Sequence, residues 1–269
     1  MTDSPKPLPY DMGNIGDLLK HGVMAEFIHW WCINHGKTEF VFLDPFCGHS
    51  WKDHANLNVI KRLEQLRDNG GKFEILNAQP DFDKRIYYGS TYVAIHQICS
   101  CKLSPRIYIS DESNERLNML IESRSNQYIK KIKCVRFYSS NGYSILDSIN
   151  EKQLVSDMVL IDPFEDMEKI RQHTYSISRA SEKTTVVLFV LVNDQVQWKK
   201  ILAELPERRI ILTCPRLKNI GINGESNYTV KVILTSHLLD HPEASKLRKK
   251  LEDYATALTN IVGKTITCV

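Results

Sequence analysis

The sequence has no long apolar run. Its longest purely apolar stretch is Val186 to Val192, far short of the ~20 residues a membrane-spanning helix needs. The first twenty residues hold no apolar core of the signal-peptide kind, so the expected compartment is the cytoplasm, with no membrane partner. Cysteine is present but unpatterned. The seven (32, 47, 99, 101, 134, 214 and 268) are an odd number and form no CxxC pair, which argues for a reduced compartment and mostly buried thiols, and against a disulfide framework or a zinc site. His49, Asp53 and His54 cluster without a helical i, i+4 pair or a cysteine partner, so no metal is expected. Charge of one sign is lacking too: 35 basic against 32 acidic residues leave +3. Such a balance does not mark the whole chain as a nucleic-acid binder. The basic clusters Lys130–Arg136 and Lys246–Lys250 could meet phosphates, but solvated helix faces are the better reading of both. There is no internal repeat and no low-complexity linker, so residues 1–269 are expected to form one domain, a monomer by default.

What is present is an alternation of strands and helices. After a proline-containing arm over 1–12, apolar positions 18, 19, 23, 27, 28, 30 and 31 recur at helical spacing. Asp17 is the expected N-cap and Asn34-His-Gly36 the stop. Strands are expected at 40–43, 106–110, 132–138, 158–161, 185–192, 209–214 and 227–235. Helices are expected at 113–123, 166–181, 195–205 and 242–262, and another opens at a Gly-Ser turn near residue 89. Segment 52–86 reads as a small helical insertion over one edge of the sheet, and Asn141-Gly-Tyr-Ser as a loop. The last two strands have no helix between them and should form an antiparallel hairpin. Together these predict an α/β sandwich with a mostly parallel, seven-stranded, doubly wound sheet.

Three of the apolar strands end in an acid: Asp44 after Phe40–Leu43, Asp111 after Ile107–Ser110, and Asp162 after Met158–Ile161. In open α/β sheets, ligands bind outside the carboxyl ends of the strands. Carboxylates there can accept from a ligand, and Gly48 lets the backbone come close to one. Taken singly, an acid after a strand is often only a helix N-cap; the succession of three points to one crevice. His21, on an apolar helix, is by itself more often a hydrogen-bonded packing residue than a ligand.

These motifs resemble a known family, the bacterial 23S ribosomal RNA adenine-N6 methyltransferases of the RlmJ type. Gly13-Asn-Ile-Gly-Asp-Leu-Leu-Lys-His21 is similar to that family's GNxxDxLKH opening. Phe42-Leu-Asp-Pro-Phe-Cys-Gly48 is similar to its first S-adenosylmethionine motif, Tyr88-Gly-Ser90 to its GSP loop, and Asn141-Gly142 to its Asp-Gly pair. Leu160-Ile-Asp-Pro163 is similar to the start of LIDPPYE, and Gly221-Ile-Asn-Gly-Glu to a late GSG hairpin. The resemblance runs in register over about residues 13–235. It implies a Rossmann-like class I methyltransferase fold with an inserted helical subdomain, S-adenosylmethionine as cofactor, and an adenine in RNA as acceptor. It further implies that His21, Asp44, Phe46, Gly48, Ser90, Asp111, Asn141, Gly142 and Asp162 line the cofactor and base sites. Asp111 would take the ribose hydroxyls, and Asp162 and Phe164 would be catalytic: the carboxylate accepts from the target amine and the aromatic stacks the base.

The sequence departs from the family in several places. Asp162-Pro-Phe-Glu165 stands where the family has Asp-Pro-Pro-Tyr-Glu, Phe46 replaces a histidine, and Asn141 replaces an aspartate. Two further readings stay open: a methyltransferase-fold protein that binds or regulates without catalysis, and a methyltransferase with a DNA, protein or small-molecule acceptor.

Overall fold

A computed structural model describes residues 13–47, 51–52, 57–111, 118, 134–138, 141–163, 167–218 and 227–269. The arm over 1–12, Gly48, His49, Asp53, His54, nearly all of 113–123, Lys130–Lys133, Phe164, Glu165 and the Gly221–Glu225 segment lie outside the described residues.

The first helix, α1 (Ile15–His35), is buried on nearly every side from Ile15 to Trp31. Its cap is Asn14, not Asp17. The Asn14 Oδ1 accepts from Gly16 N at 2.7 Å and Asp17 N at 3.1 Å, the geometry an Asn side chain reaches from the N-cap position. Asp17 falls in the first turn, where the helix dipole favours its charge, and its Oδ2 accepts from Gly13 N at 2.8 Å. Gly36 closes the helix in the left-handed region, as the sequence indicates. Gly22 lets Tyr254 press onto the helix: a Cβ there would sit 2.1 Å from the Tyr254 ring, whose hydroxyl donates to Leu18 O at 2.6 Å.

The chain continues through β1 (Glu39–Asp44), β2 (Trp51–Lys52), α2 (Leu57–Asp68), α3 (Glu74–Ala78), β3 (Tyr87–Tyr88), α4 (Ser90–Ser100), β4 (Ser104–Ser110) and β5 (Cys134–Tyr138). Next come α5 (Gly142–Asn150), β6 (Met158–Ile161), α6 (Met167–Ser181), β7 (Thr185–Val192), α7 (Gln195–Glu204), β8 (Arg209–Lys218), β9 (Asn227–Thr235), α8 (Ala244–Val262) and β10 (Thr267–Cys268). The expected loop at 141–144 is instead the start of α5. Asn141 caps it, and Tyr143, Leu146 and Ile149 form a buried stripe at helical spacing; the Asn-Gly pair had read as a turn because both residues also favour turns.

The sheet order is β10-β8-β9-β7-β6-β1-β4-β5. From β5 to β7 all pairings are parallel, and β9 lies antiparallel between β7 and β8. This is the Rossmann-like methyltransferase sandwich expected from the sequence, with one addition: β10 pairs antiparallel with β8 and makes an eighth strand. Two residues long, it is too short for its pattern to be visible in sequence. Helices cover both faces. Phe40, Phe42, Ile107 and Leu160 pack toward α1 and α4, while Leu43, Val159, Ile161 and Leu188 pack toward α5, α6 and α7. No helix among the described residues is long and apolar enough to cross a membrane.

Within the insertion, α3 packs on α1 and α4, and α2 on α8, because Val59, Ile60, Leu63 and Leu66 present an apolar stripe that joins the main core. Cys47 and Cys214 are buried, Cys99 is exposed, and Cys32, Cys101 and Cys268 are half-buried, all six as free thiols; of these, fewer are hidden than the sequence suggests. The Lys246–Lys250 cluster behaves as a solvated face, with Lys246 paired to Glu243 and Lys249 to Asp253.

One buried acid ties the insertion to α1. Glu26 Oε1 accepts from Glu74 N, the first amide of α3, at 2.9 Å. Burial, working against that bond, pushes the Glu26 carboxyl up to about 7. The folded protein therefore binds this proton more tightly than the unfolded chain. The resulting stability is full below the ordinary glutamate range and is lost as pH rises through 7. Between pH 5 and pH 8, wild type should lose about 2 kcal/mol more than Glu26→Gln in urea unfolding; parallel curves for the two proteins would refute the assignment.

Candidate active site

The strand order turns between β1 and β6. The chain runs outward from β1 through β4 to β5, then returns to the other side of β1 as β6. A crevice opens at such a switch point, outside the carboxyl ends of the two strands. Asp44 ends β1 and Asp162 follows β6, so both predicted acids stand at its two lips; Asp111, buried, follows β4 next door.

Asp44 is 0% exposed. Its Oδ2 accepts from the hydroxyls of Ser90 at 2.7 Å and Thr91 at 2.8 Å, in the first turn of α4. Its Oδ1 is buried with no hydrogen-bond partner. Burial, partly offset by the two hydroxyls, pushes its carboxyl up to about 6. Asp162 is held by a residue the sequence reading passed over: Lys20 Nζ donates to Asp162 Oδ2, pairs with Asp17 Oδ1 at 3.2 Å, and lies over the Phe189 ring of β7, 5.2 Å from its centroid. Burial pushes Asp162 upward against the pull of Lys20. Lys20 is itself opposed by burial, but the two carboxylates outweigh that and hold it above the ordinary lysine value. At neutral pH Lys20 is therefore an ammonium, held against both Asp162 and Asp17.

His21 is 1% exposed. Its ring stacks on Tyr87 and its Nδ1 meets the Tyr87 hydroxyl at 2.9 Å, while Nε2 is buried without a partner. Burial, then the neighbouring Lys20, keeps its pKa well below the ordinary histidine value, so the ring is neutral. The hydrogen-bonded packing role and a free ring nitrogen thus coexist in one residue.

The remaining predicted positions divide. Ser90 contributes its hydroxyl to Asp44. Phe46 packs edge-on against Tyr143, 5.1 Å between centroids, and closes over Gly142, where a Cβ would stand 2.6 Å from the Phe46 ring. The glycine is thus needed for this close approach. Asn141 is exposed, and its Oδ1 is engaged as the α5 cap, accepting from Tyr143 N at 3.0 Å. Its amide N–H groups and the second lone pair of that oxygen are left to meet a ligand. Gly48 and Phe164 lie outside the described residues. Among the described residues no group of three His, Cys, Asp or Glu is placed to hold a metal ion.

The residues missed from sequence were Lys20 and Thr91. For Lys20 the signal was present: Asp17 and Lys20 are spaced i, i+3 in a helix otherwise almost wholly apolar, and charges on such a helix must find each other.

No protein-family model matches the sequence, and no curated protein matches it. Among solved structures the fold is similar to protein LPL1258 from Legionella pneumophila str. Philadelphia 1, described under the family model DUF519, at 18% identity over 96% of this chain and 97% of that one, with a TM-score of 0.69. More distant are a SAM-dependent methyltransferase from Agrobacterium tumefaciens (9% identity, 81% and 62% covered, TM-score 0.45) and human methyltransferase-like protein 13 in complex with SAH (12%, 88% and 90%, TM-score 0.42). At these identities the likeness is one of fold. The chemistry has to be argued from the crevice.

Proposed function

We propose that the chain is an S-adenosylmethionine-dependent methyltransferase acting on adenine N6 in RNA, a single cytoplasmic domain of which segment 52–86 is the helical insertion. One observation carries the reading: two buried, interacting carboxylates, Asp44 and Asp162, stand at the carboxyl ends of β1 and β6 where the strand order turns. The residues present fit the donor. Asp44 Oδ1 and His21 Nε2 are buried polar atoms without partners, and atoms of that kind ordinarily have one.

When bound, the donor supplies a methyl group activated on a sulfonium. The chain's own part is to bind, orient and stabilise. Asp162, its Oδ2 fixed by Lys20, presents Oδ1 to the target amine, turns the nitrogen lone pair toward the methyl group, and stabilises the charge developing on nitrogen. Phe164 is the proposed stacking partner for a base drawn out of the RNA. Asp111 serves the ribose hydroxyls, and His21, Phe46, Gly48, Ser90, Asn141 and Gly142 complete the cofactor pocket.

The test is transfer of labelled methyl groups to RNA, DNA and protein fractions, followed by nucleoside digestion. N6-methyladenosine in the RNA fraction is the expected product; label confined to another fraction would overturn the acceptor assignment. Donor binding without any transfer would favour a second reading, a binding module, which the altered Asp162-Pro-Phe-Glu165 motif motivates.

A further inference from the structure

We infer that the acid cluster recognises the positive charge of the donor, and that Asp44 distinguishes the sulfonium from its neutral thioether by-product; the inference rests on the methyltransferase reading above. The cluster gathers groups from every element around it. Asp17, Lys20 and His21 come from α1, Asp44 from β1, Tyr87 from β3, Ser90 and Thr91 from α4, and Asp162 from the end of β6. Among the described residues, three carboxylates thus face a single ammonium. Both ion-pair contacts of Lys20 go to Asp17 and Asp162, and none goes to Asp44. The hydroxyls of Ser90 and Thr91 occupy only one Asp44 oxygen, and the other is buried and unpartnered. The imidazole beside them is neutral.

The chain therefore encloses more negative charge than it neutralises, and buried charge of that kind is costly unless paired. Two cations can relieve it: a proton on Asp44, which its raised pKa of about 6 allows, or a cation brought by a ligand. They compete for the same charge, so a cationic ligand displaces the proton. Methyl transfer breaks the S–CH3 bond and leaves its electron pair on sulfur, the new N–CH3 bond forms, and the amine's proton departs to solvent. The by-product has lost the positive charge on which the cluster acts. Retention of the donor and release of the by-product follow from one electrostatic feature.

Calorimetric titration of the full chain with S-adenosylmethionine and with S-adenosylhomocysteine, between pH 5 and pH 7, tests this. Paired buffers of different ionisation enthalpy count the protons released. The ligands' α-carboxyl and α-amino groups titrate outside this window. Affinity for the donor should rise about tenfold per pH unit up to pH 6 and then level, with nearly one proton released at pH 5. The by-product should bind with a flatter profile and roughly tenfold or more weakly at pH 7. Asp44→Asn should flatten both profiles and bring the two affinities together. Ser90→Ala, which keeps the charge and removes one stabilising hydroxyl, should move the break to higher pH; it serves as the test if Asp44→Asn does not fold. Equal profiles for the two ligands with no proton release would overturn this inference and leave the methyltransferase reading standing. Binding of neither ligand at any pH would overturn both.

Discussion

Lys20→Met should destabilise the protein by about 3–5 kcal/mol at pH 8, the cost of removing one partner from a buried ion pair. The loss should be larger than for most single substitutions, because among the described residues Lys20 is the one cation facing Asp17, Asp44 and Asp162. Methionine fills much of the same volume and stays apolar against Phe189, so lost packing adds little. The deficit should shrink toward pH 5. Without the ammonium the Asp162 carboxyl rises further, the folded state then holds a proton the unfolded chain does not, and that gain is present at low pH and lost as pH rises. Adding Asp162→Asn should recover most of the stability, since it removes the charge left unpaired. Urea unfolding of the wild type, both single variants and the double variant checks this. A Lys20→Met protein within about 0.5 kcal/mol of wild type would mean that the pair contributes nothing to the fold.

The contrast between Lys20 and Asp162 shows what sequence patterning conveys and what it hides. Strand-terminal acids are visible because an apolar run stops at them, and a doubly wound order turns one-dimensional spacing into a shared crevice. The strands β1 and β4 to β9 were legible for the same reason: period, length and flanking residues agree; β2 and β3, two residues each, were not. For Lys20 the local pairing with Asp17 at i, i+3 was visible, but the partner across the sheet, Asp162, was not: only the depth at which α1 lies, sealed by Tyr254 against Gly22, brings the two together. The α5 start was misread because Asn-Gly serves turns and helix caps alike. That α2 rests on α8, and α3 on α1 and α4, was not legible, since an apolar stripe says that a helix packs and not upon what. That one lone pair of the Asn141 amide oxygen is spent on the α5 cap is likewise a matter of three-dimensional geometry.

Asp162→Ala should lower methyl transfer by about 10²–10⁴-fold, with most of the loss in kcat and a smaller loss of donor affinity, since the acid cluster also gives up one of its three carboxylates. The range is that of a residue acting on the reacting group in the transition state. The kcat signature follows because the hydrogen bond to the amine strengthens as the nitrogen acquires charge, a difference between ground and transition state and not a uniform binding contribution. Asp162→Asn should fall between. Its carbonyl oxygen still accepts from the amine, but it lacks the negative charge and can no longer hold Lys20 as an ion pair, so both orientation and stabilisation are weakened. The Lys20 variant should share the kcat defect while leaving Asp162 present, because a carboxylate freed from its anchor can turn its oxygens away from the base. A double variant no worse than Asp162→Ala alone would place both residues in one unit. If instead Asp162→Ala kept its kcat and lost only donor binding, the carboxylate would belong to the cofactor pocket, and the group that meets the amine would have to come from the loop that follows it.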